Sequence, residues 1–222
     1  MSRKSSAPTA APPRPVGPGR PKDLGKRAAI LAAAKQMFLE LGYDGVSMDG
    51  IAAQAGVSKL TVYSHFGDKD TLFGEAVHSN CQQMMPDELF LGQADGPVRE
   101  QLISIGHAFF TLVSNDASMA IQRMMMSPDT DDRLREMFWQ AGPKRTHDAL
   151  ERFLQTCVDR GELAIADVPT AALQFFCLIK GELHSHMLFG LASTPAPAAV
   201  DAHIGASVDL FLRGYAAPGK PE

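Results

Sequence analysis

No uninterrupted apolar run in the 222 residues approaches the roughly 20 that a membrane-spanning helix needs, so a soluble protein without a membrane partner is expected. Cysteine is scarce. Cys81, Cys157 and Cys177 are odd in number, far apart and outside any C-x-x-C spacing, which argues against a disulfide framework or a zinc knuckle. They read as buried thiols, and none has a cationic neighbourhood in sequence that would mark a redox sensor. The first 22 residues contain no acid and no apolar stretch of the kind a secretory signal carries, which predicts a cytoplasmic protein. Strand signals are almost absent, and no internal repeat is apparent. G-x-S-x-G, P-loop, H-E-x-x-H and dinucleotide fingerprints are also missing, so the chain reads as a non-enzyme that needs no cofactor.

What is present is an ordinary globular composition, 45% hydrophobic and 21% charged, on a chain long enough for a small domain joined to a larger one. The net charge of −4 hides an asymmetry. Residues 1–69 carry ten Lys and Arg against five Asp and Glu (net +5), and the rest carries eleven against twenty (net −9). A basic head on an acidic body suits a protein that touches nucleic acid at one end. Residues 1–22, rich in Pro, Ala and Ser, read as a disordered basic arm.

Beyond the arm, apolar residues recur at helical spacing, as in Ile30, Ala34, Phe38 and Leu41 or Leu102, Ile105, Phe109 and Leu112, which predicts an all-α protein. Caps, glycines and prolines divide it into helices over about 23–41, 48–56, 58–66, 68–85, 97–114, 117–126, 131–140, 143–160, 169–191 and 195–215. The expected organisation is an N-terminal three-helix DNA-binding domain over 23–83, a larger regulatory and dimerisation domain over 84–217, and a tail over 218–222.

The segment SMDGIAAQAGVS from Ser47 to Ser58, followed by KLTVYSHF from Lys59 to Phe66, has the form of a helix-turn-helix. Gly56 permits the tight turn. Ile51, Ala52 and Val57 face the core, and Val62 with Phe66 anchor the second helix one turn apart. Lys59, Leu60, Thr61, Tyr63, Ser64 and His65 are left for an outward face. Lys59 suits guanine O6 and N7, and Leu60 a thymine methyl. Tyr63, His65 and Lys69 suit phosphate oxygens, and the hydroxyls of Ser47 and Ser58 cap helix starts that offer further anion sites.

From Gly25 to Phe73 this stretch, with its A-G-V-S turn, T-x-Y-x-H-F helix and following D-K-x-x-L-F, resembles the DNA-binding domain of the TetR family. The resemblance implies that Tyr63, His65 and Lys69 contact double-stranded DNA. Leu60 stands where many relatives have Gly, which leaves the operator sequence open. Pro18 to Lys22 is similar to arms that place an extended Arg in the minor groove, and Arg20 is the candidate. The alternative is a solvated basic linker.

The C-terminal part, from Gln140-Ala141-Gly142-Pro143 through Gly161-Glu162-Leu163 to Phe211-Leu212 and Gly214-Tyr215, is similar to the regulatory domain of AefR-like members. That implies a pocket for a small-molecule effector and a homodimer built on the last two helices. Leu173, Phe176, Lys180, Leu183 and Met187 with Ile204, Val208 and Phe211 form stripes suited to a four-helix interface. Phe109, Met125 and Trp139 are the nominal pocket residues, with plain core packing as the alternative for each. Glu182 and His186 share a helix face near His184 but lack a second ligand cluster, so no metal is expected. The resulting expectation is a ligand-responsive repressor acting as a homodimer on a palindromic operator. A helical protein-interaction module is the alternative; an activator or an enzyme stands further off.

Overall fold

The computed structural model describes residues 23–91 and 96–217, so the basic arm with Arg20 and the tail lie outside the described residues. Ten α-helices follow one another: α1 (Leu24–Leu41), α2 (Met48–Gln54), α3 (Lys59–Phe66), α4 (Lys69–Met84), α5 (Val98–Ser114), α6 (Asp116–Met126), α7 (Asp132–Ala141), α8 (Pro143–Asp159), α9 (Val168–Leu188) and α10 (Pro197–Tyr215). A short 3-10 turn, Asp87–Phe90, lies between α4 and α5. The described residues contain no strand; an isolated antiparallel bridge joins Leu163 to Ala216.

The helix starts follow their caps. Asp23, Ser47, Ser58, Asp68, Asn115, Asp131 and Asp167 each accept a hydrogen bond from a backbone N–H in the following turn, which satisfies donors that have no partner inside the helix. Pro143 and Pro197 stand in the first turns of α8 and α10, where the missing N–H costs nothing.

Two hydrophobic clusters result. The first joins α1 to α4 around Ile30, Ile51, Val62, Leu72 and Phe73, and recruits Leu134 of α7. The second joins α5, α8, α9 and α10 around Leu102, Ile105, Leu150, Phe175, Ile179 and Ile204. Helix α4 connects them, packing on α1 and α7 and reaching α5.

The second cluster corrects the expected dimer stripe for all of its residues but Leu173, which stays exposed. Phe176, Ile204, Val208 and Phe211 are at most 2% exposed and Met187 is buried, all inside one protomer. They pack against α5, where Gly106 lets Ile179 and Ile204 approach closely. Leu183 is half-buried against the same core, and Lys180 lines a cavity. Helices α9 and α10 are apolar on more than one side. The sides left exposed carry Leu173 and Cys177 on α9 and Ala199, Ala202, Ala206 and Leu210 on α10.

Candidate nucleic-acid interface

Helix α3 is held from beneath by Val62 and Phe66, both buried, while Leu60 is 79% and Tyr63 41% exposed. The turn before it needs Gly56, whose φ of +65° lies in the left-handed region that side chains disfavour. Ser58 Oγ accepts from Thr61 N at 3.2 Å and lies 2.8 Å from Thr61 Oγ1, which draws Thr61 back towards the cap. Ser47 Oγ accepts from Gly50 N at 3.0 Å, and Ser64 Oγ donates to Thr61 O at 2.9 Å. Both serines remain exposed at their helix surfaces: Ser47 retains its hydroxyl proton and Ser64 its lone pairs.

The polar groups differ in how free they are. Lys59 is exposed, but its Nζ lies 2.8 Å from Asp49 in the first turn of α2, and this pairing raises its pKa. Asp49 was not singled out from the sequence. The signal lay in the helix-turn-helix itself, because that turn brings the starts of α2 and α3 together. His65 is only partly outward: its Nδ1 is enclosed with no hydrogen-bond partner among the described residues, which leaves the other ring nitrogen as the available edge. Lys69 sits 4.2 Å from the centre of the Tyr43 ring, a cation held over an aromatic face beside α3.

Behind Lys69 lies a polar junction. Tyr43 donates from its hydroxyl to Asp70, and Asp70 is paired with Arg133 of α7. Desolvation pushes the Tyr43 pKa up, against the pull of Arg133. The same ring packs edge-on to Phe73 and parallel to Phe38. This junction joins the start of α4 to an element of the C-terminal part.

A cavity of about 930 Å³ opens between α1 and α4 on one side and α5, α6 and α8 on the other. Phe109 and Trp139 line it, with Leu31, Val77, Leu112 and Ile121. Met125 does not; it packs against the N-terminal core, because α6 and α7 lean on that core. Lys35 of α1, His147 of α8 and Lys180 of α9 line the cavity and were missed as pocket residues. Lys35 had a signal, since α1 carries a second apolar face in Ala28, Leu31, Ala32 and Leu39.

Elsewhere, His184 turns inward to Gln122 Oε1 at 3.1 Å, whereas His186 faces Glu182 at 3.3 Å. No group of three or more metal-ligating side chains occurs among the described residues. Burial pushes the thiols of Cys81 and Cys157 up to about 11, and Cys177 is exposed rather than buried as expected. No helix among the described residues is long and apolar enough to cross a membrane.

The described N-terminal part is thus a helix-turn-helix with an exposed, mixed polar and apolar second helix. Comparison with known proteins agrees. The family model described as bacterial regulatory proteins, tetR family, matches residues 30–76, and that of the AefR-like transcriptional repressor C-terminal domain matches 100–217. The second match alone covers more than half of the chain, which therefore belongs to the TetR family of bacterial regulators.

A putative TetR-family regulator from Mesorhizobium loti superposes with a TM-score of 0.72 at 28% identity, over 86% of this chain and 97% of that one. The flavonoid-responsive regulator FrrA follows with a TM-score of 0.67 at 29% identity, over 87% and 98%. Among curated relatives, the uncharacterized HTH-type regulator YdeS of Bacillus subtilis is 40% identical over 68 residues. That match spans 31% of this chain and about a third, 34%, of the relative's length.

Proposed function

We propose that the protein is a ligand-responsive repressor that binds a palindromic DNA operator as a homodimer, with α3 as the helix entering the major groove. The observation that carries this reading is the division of α3. Val62 and Phe66 hold it rigidly from below, while Leu60, Tyr63 and Ser64 stand exposed above and Lys59 needs only to exchange Asp49 for a base edge. Tyr63, Lys69 and the outer edge of His65 serve the phosphates, together with the Ser47 and Ser58 hydroxyls.

Dimerisation uses the exposed sides of α9 and α10, with Leu173 of the expected stripe joined at the centre by Ala206 and Leu210, in place of the residues buried in the protomer. A two-fold assembly requires an operator of two inverted half-sites. The cavity holds the effector. Because α1 and α4 form one of its walls, a ligand that prefers a wider separation of the walls moves α4, and with it α3, out of register with the groove. FrrA, a flavonoid-responsive regulator, supports a small organic effector here as well.

The test is selection of bound sequences from a random duplex pool, followed by titration of the winner at two salt concentrations. An enriched palindrome, bound more weakly on every sequence by Tyr63→Phe and with relaxed base preference in Lys59→Ala, is the expected outcome. Weak, salt-sensitive binding to any duplex, with no enriched site, would replace this reading with a helical protein-interaction module.

A further inference from the structure

We infer that the cavity takes an apolar organic anion, a molecule with a hydrophobic body and a carboxylate, sulfonate or phenolate held by Lys180 and Lys35. This rests on the reading of the cavity as the effector site. Its volume of about 930 Å³ fits a drug-sized molecule, and its walls are mostly apolar and aromatic. Phe109 lies against Phe176 with ring centres 4.0 Å apart, and His147 stands edge-on to Phe176 at 5.0 Å and 5.7 Å from Trp139. Such a wall suits a flat, apolar body.

The charges are one-sided. Arg27, Lys35 and Lys180 line the cavity, and no carboxylate does so among the described residues. Arg27 is neutralised by Glu75 at 2.7 Å, whereas neither Lys35 nor Lys180 is in an ion pair among the described residues. Desolvation already lowers the Lys35 pKa, and Lys180 lies close enough to His147 and His184 to lower theirs in addition to burial. A cation in an apolar enclosure without a counter-ion is costly, and an anionic guest removes that cost. His147 also lines the cavity, with its Nδ1 enclosed and without a hydrogen-bond partner among the described residues. The cavity thus presents to whatever enters two ammonium groups that are in no ion pair among the described residues. A neutral guest leaves both unmatched.

Two probes with one aromatic frame separate charge from shape: 1-anilinonaphthalene-8-sulfonate and its uncharged parent, N-phenyl-1-naphthylamine. Trp139, the only tryptophan of the chain, lines the cavity, so energy transfer from it reports binding at this place in the full-length protein. The sulfonate should bind on the order of tenfold tighter than the parent, the scale of one charge-assisted hydrogen bond. Lys180→Gln should remove most of that preference and leave the parent within about twofold, and Lys180→Arg should restore it. Lys35→Gln, on the α1 wall, gives the same reading independently if Lys180→Gln impairs folding. Lys144→Gln removes an equal charge outside the cavity and should change neither affinity. Equal binding of the two probes, or equal weakening of both by the lysine substitutions, overturns the anion inference and leaves the effector site standing. Absence of energy transfer from Trp139 with either probe overturns the effector site itself, and this inference with it.

Discussion

Ile204→Ala and Leu210→Glu, about one and two-thirds turns apart on α10, should fail in opposite ways. Ile204 is fully enclosed between α5 and α9, its Cγ2 only 2.9 Å from where a Cβ on Gly106 would stand. The substitution removes three carbons, worth roughly 2.4 kcal/mol at about 0.8 kcal/mol each. The void adds to this, because Gly106 has no side chain with which to fill it. A loss of about 3–4 kcal/mol follows, within the range for buried Ile to Ala, and corresponds to roughly 6–16 °C in melting temperature for a chain of this size. Leu210 is 50% exposed, so Leu210→Glu should cost the protomer little and instead place a charge on the proposed interface.

The assay is urea unfolding at two protein concentrations at least tenfold apart, with sedimentation velocity on the same samples. Ile204→Ala should lower the midpoint by the same amount at both concentrations and still sediment as wild type. Leu210→Glu should sediment as the monomer, with most of its stability loss confined to the concentration-dependent part. If Ile204→Ala dissociates the assembly without weakening the protomer, or Leu210→Glu remains dimeric, the assignment of these two faces is wrong.

Asp49→Asn frees Lys59 for the groove, so operator affinity should rise, most at low salt, and a filter-binding titration that shows no gain would mean the pair does not compete with DNA. Asp70→Asn weakens the junction between α4 and Arg133; operator binding without effector should persist while effector-induced release is blunted, measured by fluorescence anisotropy of labelled operator, and an unchanged response would rule out this route. Burial, and then the charge of Lys180, hold the His147 pKa below its ordinary 6.5, while the nearby Asp148 pulls the other way. The fold therefore favours the neutral ring: its contribution is present above the unfolded value and is lost as pH falls through the lower folded one. Unfolding midpoints should decline on acidification below about pH 6.5 and do so less steeply in His147→Gln; parallel wild-type and variant curves would refute this.

The helices were legible because their signals are local. Ser47, Ser58, Asp68 and Asp131 cap where a polar side chain precedes an apolar period, and Gly42 and Gly56 end turns they alone suit. The outward face of α3 followed from one anchor pair, Val62 and Phe66. Which side of α9 and α10 meets the protein's own core was not legible: Ile204 and Val208 alternate with Ala202, Ala206 and Leu210, so apolar spacing marks two faces and cannot rank them. The cavity was half visible for the same reason. Phe109 and Trp139 were legible as apolar helix residues, but Lys35 of α1 is far in sequence from His147 of α8 and Lys180 of α9, and the three meet only through packing.

At Gly181, α9 departs from helical geometry, with φ 50° and ψ −154°, and the His203 ring occupies the space a Cβ would need. His203 Nε2 lies 2.9 Å from Ile179 O just before the break, while Arg123 of α6 donates to the carbonyls of Met187 and Leu188 beyond it. Mechanically, α9 is two rods on a pinned joint, one clamped to α10 and the other to α6, with Lys180 at the pivot. A sensor built from this protein could have its gain adjusted there, by trimming the pin at His203, with the DNA-reading and apolar guest-holding surfaces left as they are.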